Sequence, residues 1–293
     1  MSEQNSVNLP LKQVEVIVTR ALHQSQALAA SLVQLGAKMI LAPTIELIPP
    51  PPSSDQLYRK GTWMIPCSEV GDRLWRFDWI LFTSANAVRY SEEAWSCFGG
   101  LKRALELNPP QENTHRVRKT NIACVGTSTQ RALKRLGVEL DLLPKEFHAE
   151  GLLEALKHEN FEGKRVLIPR ALEARELLPL ALRSRGAEVW ISPMYQTVQA
   201  SLSSEVKLQM LSQREASCRA RAIIFTSDST VSRLLEQLDD REQRLLKQNC
   251  DAWVIGPVVK KAAEREGFRV RGMASPHTIQ ALIDHLVRDL GES

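Results

Sequence analysis

Short apolar runs alternate with amphipathic stretches along nearly the whole chain. VEVIVT (14–19) reads as a buried strand, and Leu28, Leu32 and Leu35, spaced i, i+4, i+7, predict a helix behind it. Gly36 stands where a glycine closes a helix, and KMILAP (38–43) predicts the next strand, stopped by its proline. The same order returns in KRVLIPR (164–170), a helix carrying Leu178 and Leu182, then Gly186 and AEVWISP (187–193). Arg20 and Arg170, Gly36 and Gly186, Ala37 and Ala187, and Pro43 and Pro193 are each 150 positions apart, a register that argues for duplication.

Two further pairs follow with shorter offsets. DWILFTSANAV (78–88) matches RAIIFTSDSTV (221–231), and IACVGTSTQRALKRLG (122–137) matches AWVIGPVVKKAAEREG (252–267). Longer loops in the first copy account for the difference. The Pro-, Ser- and Gly-rich stretch 49–72 and the polar stretch 108–120 read as surface loops, and 201–222 as holding a helix before the second F-T-S strand. Strands alternating with helices predict parallel sheets built from βαβ units, whose ligands bind where strand ends turn into helix starts.

Length and composition narrow the class. A chain of 293 residues exceeds one domain of roughly 100–150 residues, so two domains are expected. The net charge of +4 fits a mildly basic surface and permits an anionic ligand, but dense Lys/Arg blocks are absent and nucleic acid is not expected as a partner. Five scattered cysteines fit reduced thiols, and no His or Cys spacing has the form of a metal site. The polar N-terminus has no secretory apolar core, and no stretch is long enough to span a membrane, so a cytoplasmic protein is expected.

Candidate chemistry gathers at the expected strand ends. Thr83, Ser84 and Asn86, with Thr226, Ser227, Asp228 and Ser229, fit ordinary helix N-capping, and equally fit hydroxyls and amides that hold carboxylates or phosphates. Gly126 and Gly256 are expected to allow tight strand-to-helix turns, where Ser128 or Thr129 caps or binds. Arg20 and Arg170 are expected at strand ends and Arg175 inside the following helix. One such arginine is ordinarily a solvated or salt-bridged surface residue, whereas a matched pair suits bidentate carboxylate recognition. Tyr195 and Thr197 are expected just after a strand, where a tyrosine either packs an interface or offers a phenol as a hydrogen-bond or proton donor. No dinucleotide fingerprint, phosphate loop or nucleophile–histidine–acid set occurs, which disfavours a nucleotide-dependent enzyme.

The ordered set VTR (18–20), FTSANAV (82–88), VGTSTQRAL (125–133), P-x-x-F-x-A-E-G-L-L (144–153), RELLPLALRSRGAEV (175–189), YQT (195–197), FTSDSTV (225–231), VIGP (254–257) and ASPHTIQALIDHL (274–286) resembles the uroporphyrinogen-III synthase family. The resemblance implies two similar flavodoxin-like parallel-sheet α/β domains joined by a two-strand linker, with the active site in the cleft between them. Residues 1–44 and 199–293 would form the first domain and 47–196 the second. It implies a monomer acting on hydroxymethylbilane, an open-chain tetrapyrrole, with no cofactor and no metal, and in transient contact with hydroxymethylbilane synthase. Tyr195 matches the tyrosine proposed to assist hydroxyl departure, Ser84 and Ser227 the serines of the two F-x-S loops, Thr129 the threonine of the G-x-x-T turn, and Arg20 and Arg175 commonly basic positions. The second turn departs from the pattern, with Val258 and Val259 where the family carries threonine in G-P-x-T. That departure keeps a second reading open, a non-catalytic two-domain ligand-binding or regulatory protein on the same scaffold.

Overall fold

The computed structural model describes residues 9–51, 58–59, 62–107 and 119–291. The polar N-terminal residues 1–8 and most of the 108–120 stretch lie outside them. In chain order the elements are β1 (Val14–Val18), α1 (Leu22–Gln34), β2 (Lys38–Leu41), β3 (Ile45–Ile48), β4 (Tyr58–Arg59), β5 (Thr62–Met64), β6 (Trp79–Phe82), α2 (Ala85–Ala94), α3 (Gly100–Glu106), β7 (Asn121–Cys124), α4 (Thr127–Arg135) and α5 (Ala149–Ala155). They continue as β8 (Arg165–Ala171), α6 (Leu177–Arg183), β9 (Glu188–Gln199), α7 (Ser204–Leu211), β10 (Ala220–Phe225), α8 (Asp228–Leu235), α9 (Asp240–Asn249), β11 (Asp251–Val254), α10 (Pro257–Arg265), β12 (Val270–Met273) and α11 (Ile279–Leu290). Contacts divide the chain into Met1–Glu46 with Val198–Ser293, called unit 1 below, and Leu47–Thr197, called unit 2.

Unit 1 is built on a parallel sheet in the order β12-β11-β10-β1-β2. Both faces are covered, so its strands alternate between two apolar cores: Ile223 and Phe225 face one, Ala222 and Ile224 the other. Glu15 breaks the apolar run of β1 and is still buried. Its carboxylate meets Arg221 directly across the β1–β10 pair at 2.5 Å, and Arg221 also donates to the carbonyls of Met210 (3.0 Å) and Ser212 (2.8 Å). A buried charge survives because its partner sits in strand register with it.

Unit 2 repeats this plan with a different starting point. Its sheet runs β4-β5-β9-β8-β6-β7, with β3 also pairing β9. β8, β9, β6 and β7 answer β1, β2, β10 and β11. The counterpart of β12 has shrunk to one parallel bridge, Ala123 to Leu142, which matches the Trp253–Gly272 pair 130 positions on. Alternation again separates Ile80 and Phe82 on one face from Trp79 and Leu81 on the other. Gly36 and Gly186 close α1 and α6 at φ of 91° and 84°, where an L side chain is strained, and an added Cβ would also run into Leu9 or Glu162.

The structure corrects three readings of the chain. The 49–72 stretch, where described, is not all surface loop: β4 and β5 form an antiparallel hairpin, β5 joins β9, and Ile65 and Val70 are buried. A short apolar run (Trp63–Ile65) was hidden among prolines and polar residues. β9 does not stop at Pro193 but runs on to Gln199, so Tyr195 and Thr197 lie inside a strand rather than after it. The register shifts at Arg170/Ala171, so that Ala171 pairs with Tyr195, and a proline without an N–H is accommodated beside such an irregularity. Finally, α6 begins at Leu177, which leaves Arg175 in the loop ahead of it.

Candidate functional site at the carboxyl ends of the strands

In each unit the chain reverses its direction of travel across the sheet between two central strands: β1 and β10 in unit 1, β8 and β6 in unit 2. Loops diverge at such a switch point and leave room for a ligand. The residues singled out from sequence lie on these loops or beside them.

In unit 2, Ser84 is the N-cap of α2, its hydroxyl accepting from the Ala87 amide at 3.0 Å. The same hydroxyl lies 3.2 Å from the phenol oxygen of Tyr195. A serine hydroxyl has two lone pairs, so after accepting from the amide Ser84 can either donate to the tyrosine oxygen or accept from it, and donation by Ser84 leaves the tyrosine proton for another partner. The Tyr195 ring is fixed by stacking on Tyr90, centroids 5.3 Å apart, and Tyr90 is itself anchored by donating to the Leu47 carbonyl at 2.6 Å. Thr83 and Asn86 are half-buried on either side of Ser84, and Thr197 is exposed near the end of β9.

Arg170 does not present its guanidinium as a carboxylate receptor. It is buried, pairs with the Glu176 carboxylate, and donates to the Arg175 carbonyl at 2.9 Å. Because β8 continues through it, its side chain turns beneath the following loop and braces that loop. Arg175 is the exposed cation there. The carboxyl of Glu150 is held below the usual carboxylate range, first by its own backbone amide, and also by the charges of His148 and Arg175.

In unit 1, Arg20 lies just past the end of β1, half-buried, with desolvation lowering the pKa of its guanidinium. Thr19 beside it is locked into the sheet by donating to the Ile224 carbonyl at 2.9 Å. Ser227 is the N-cap of α8 by position, but its hydroxyl caps no amide and instead lies 3.2 Å from that of Ser229. Thr226 is half-buried and Ser229 exposed. Two loops that share the F-T-S start therefore differ: one hydroxyl is tied to a helix amide and a tyrosine, the other to a second hydroxyl.

The two glycine turns also depart from expectation. Gly126 and Gly256 have extended backbones, φ −158° and −176°, which any residue adopts, so their turns do not need glycine for its freedom. Neither supplies a side-chain cap, leaving the first amides of α4 and α10 without one. Thr129 is buried and faces the core, as Val259 does at the equivalent place, so Ser128 is the residue of this pair that faces outward. The same geometry explains the valine: Val259 packs in the apolar core, and the position does not call for a hydroxyl.

Burial raises the thiol pKa of Cys124 to about 11 and of Cys250 to about 12, so neither supplies a thiolate near neutrality. Among the described residues, no three His, Cys, Asp or Glu side chains come together as metal ligands.

Comparison with known proteins follows the same line. Residues 26–284 match the family model described as uroporphyrinogen-III synthase HemD. A uroporphyrinogen-III synthase from Synechococcus elongatus is 32% identical over 76% of this chain and 74% of its own, and one from Chlorobaculum parvum is 25% identical over 87% and 90%. Among solved structures, a uroporphyrinogen-III synthetase from Helicobacter pylori superposes with a TM-score of 0.54 at 17% identity, covering 92% of this chain and 96% of the other. A mutant uroporphyrinogen III synthase from Thermus thermophilus gives 0.52 at 19%, covering 94% and 98%. At such identities these structures bear on the fold alone.

Proposed function

The chain belongs to the uroporphyrinogen-III synthase family, a family of porphyrin-biosynthesis enzymes, and we propose that it acts as a cofactor-independent lyase on hydroxymethylbilane. The observation that carries the proposal is the Ser84–Tyr195 pair at the carboxyl edge of unit 2, a positioned proton donor with its own hydrogen-bond support. In this reading Tyr195 gives its proton to the terminal hydroxyl as the C–O bond breaks, and the lone pair of the adjacent pyrrole nitrogen drives the departure of water. The phenolate accepts the Ser84 hydroxyl proton as a hydrogen bond. The azafulvene cation is attacked by the substituted D-ring carbon to give a spiro-pyrrolenine. Fragmentation and reclosure at the neighbouring carbon invert that ring, and the proton lost at the end returns to Tyr195. The rest of the work is folding the bilane so that its ends meet.

Eight substrate carboxylates call for cations and hydroxyls, and Arg175, Ser84, Arg20, Ser227 and Ser229 would supply them. Thr83, Asn86, Ser128, Thr197, Thr226 and the amide turn at Gly256 would complete the contacts. The reading carries with it a monomer in the cytoplasm, supplied by hydroxymethylbilane synthase. No helix among the described residues is long and apolar enough to cross a membrane. Arg20→Gln and Arg175→Gln should each raise KM for hydroxymethylbilane about tenfold, the scale of a lost charge-assisted hydrogen bond, with kcat little changed. Steady-state kinetics at fixed ionic strength check this. A KM that moves for only one of the two would refute shared binding.

A further inference from the structure

In unit 2 the segment between β5 and β6 is held firmly against the sheet. Trp95 donates from Nε1 to the Cys67 carbonyl at 2.8 Å, and the Thr120 hydroxyl donates to the Phe77 carbonyl at 2.9 Å. Val70 and Leu74 are fully buried, while Arg73 and Arg76 on the same segment are exposed. Between this segment and the first residues of β8 and β9 lies a cavity of about 210 Å³. Its lining combines three arginines, Arg73, Arg76 and Arg165, with the rings of Phe77 and Trp190. All of these residues belong to unit 2. Arg165 opens β8, and Ala171, which pairs with Tyr195, closes it. At about 3.3 Å per residue the cavity lies roughly 20 Å from that pair, at the opposite ends of the strands.

One carboxylate orients two of the lining groups. Glu188, the first residue of β9, accepts from Arg165 Nε at 3.1 Å through one oxygen and from Trp190 Nε1 at 2.8 Å through the other. Among the described residues Arg165 has no further side-chain hydrogen bond, so its two Nη groups remain for another acceptor. Arg73 has Asp72 at 3.5 Å. Arg76 has no carboxylate partner among the described residues and rests over the Trp75 ring, 5.1 Å from its centroid. Phe77 meets Trp190 edge-on, with centroids 6.3 Å apart and an interplanar angle of 75°. The two rings therefore form an apolar corner and not a closed stack. Guanidiniums beside such a corner suit an anion that carries a flat ring, and groups already fixed cost a ligand little to order. The volume is below the ~300–1,000 Å³ of sites for drug-sized ligands, so one ring fits and an open tetrapyrrole does not.

We propose that this cavity binds a small aromatic carboxylate, its ring set against Phe77 and Trp190 and its carboxylate held by Arg165 together with Arg76. Binding there is independent of the activity proposed above. Isothermal titration calorimetry of the full chain with benzoate tests it, with acetate and benzyl alcohol separating the charge from the ring. Benzoate should bind at one equivalent, and acetate and benzyl alcohol should each bind at least about tenfold more weakly. Arg165→Gln and Arg76→Gln should each weaken benzoate about tenfold, the scale of a lost charge-assisted hydrogen bond. Trp190→Leu, which keeps an apolar side chain and loses the ring, should weaken it about fivefold. Tyr195→Phe and Arg175→Gln, away from the cavity, should leave the affinity within about twofold. Absence of saturable binding, or acetate binding as tightly as benzoate, would overturn the proposal. So would benzoate binding that Tyr195→Phe or Arg175→Gln weakens while Arg165→Gln and Arg76→Gln do not.

Discussion

Tyr195→Phe should lower kcat for hydroxymethylbilane by about a hundredfold, the lower end of what a positioned general acid contributes, and leave KM within about twofold. The substitution removes one oxygen. Stacking of the ring on Tyr90 and its place in the apolar core survive, so binding and stability should change little. On the proposed mechanism, what disappears is the proton for the departing hydroxyl, together with the hydrogen bond to Ser84, whose hydroxyl is 3.2 Å away. Ser84 still caps α2, which keeps the loop in place. Rapid-quench turnover with isomer analysis reads the effect. A Tyr195→Phe enzyme with wild-type kcat would remove the tyrosine from the proton pathway and leave departure of water to the pyrrole nitrogen alone.

Arg221→Leu should destabilise the protein by about 3–5 kcal/mol, because it leaves the buried Glu15 carboxylate with only Lys38, at the rim, as an ion-pair partner. The pair is well made: Glu15 and Arg221 face each other in strand register, the guanidinium also serves two carbonyls, and Lys38 reaches Glu15 at 3.2 Å from the rim. Removing both charges in a Glu15→Leu/Arg221→Leu double variant should recover most of the loss, since an apolar pair of similar size fits between the two cores. Recovery will fall short of complete because the Met210 and Ser212 carbonyls lose their donor. Urea unfolding of wild type, both single variants and the double variant closes the cycle. A double variant no more stable than Arg221→Leu would show that the arginine acts through its carbonyl bonds and not through the buried charge.

Much of the architecture was legible because period and register are properties of sequence. The pairing of Gly36 with Gly186 reports a backbone requirement, a left-handed helix end, that the structure repeats in both units. The F-T-S runs mark strand ends because an apolar stretch followed by a hydroxyl and a helix start has few other solutions. Side-chain direction was less legible. Arg170 and Arg20 align in sequence, yet Arg170 turns inward to Glu176, and only the loop behind it shows why. Thr129 and Val259 looked like a functional hydroxyl gained or lost, but the position faces a core where either packs. Tyr195 was expected beyond a strand because proline usually ends one, and the register shift beside it is not written in local composition.

The proposed activity is to direct an open tetrapyrrole to the ring-inverted isomer. The most direct measurement is to generate hydroxymethylbilane in place, add the full-length protein, oxidise the products and resolve the uroporphyrin isomers. Unassisted closure gives the I isomer. With the protein at catalytic concentration, product should shift almost wholly to the III isomer without added metal or cofactor. Product that stays as the I isomer, at the rate seen without protein, would contradict it.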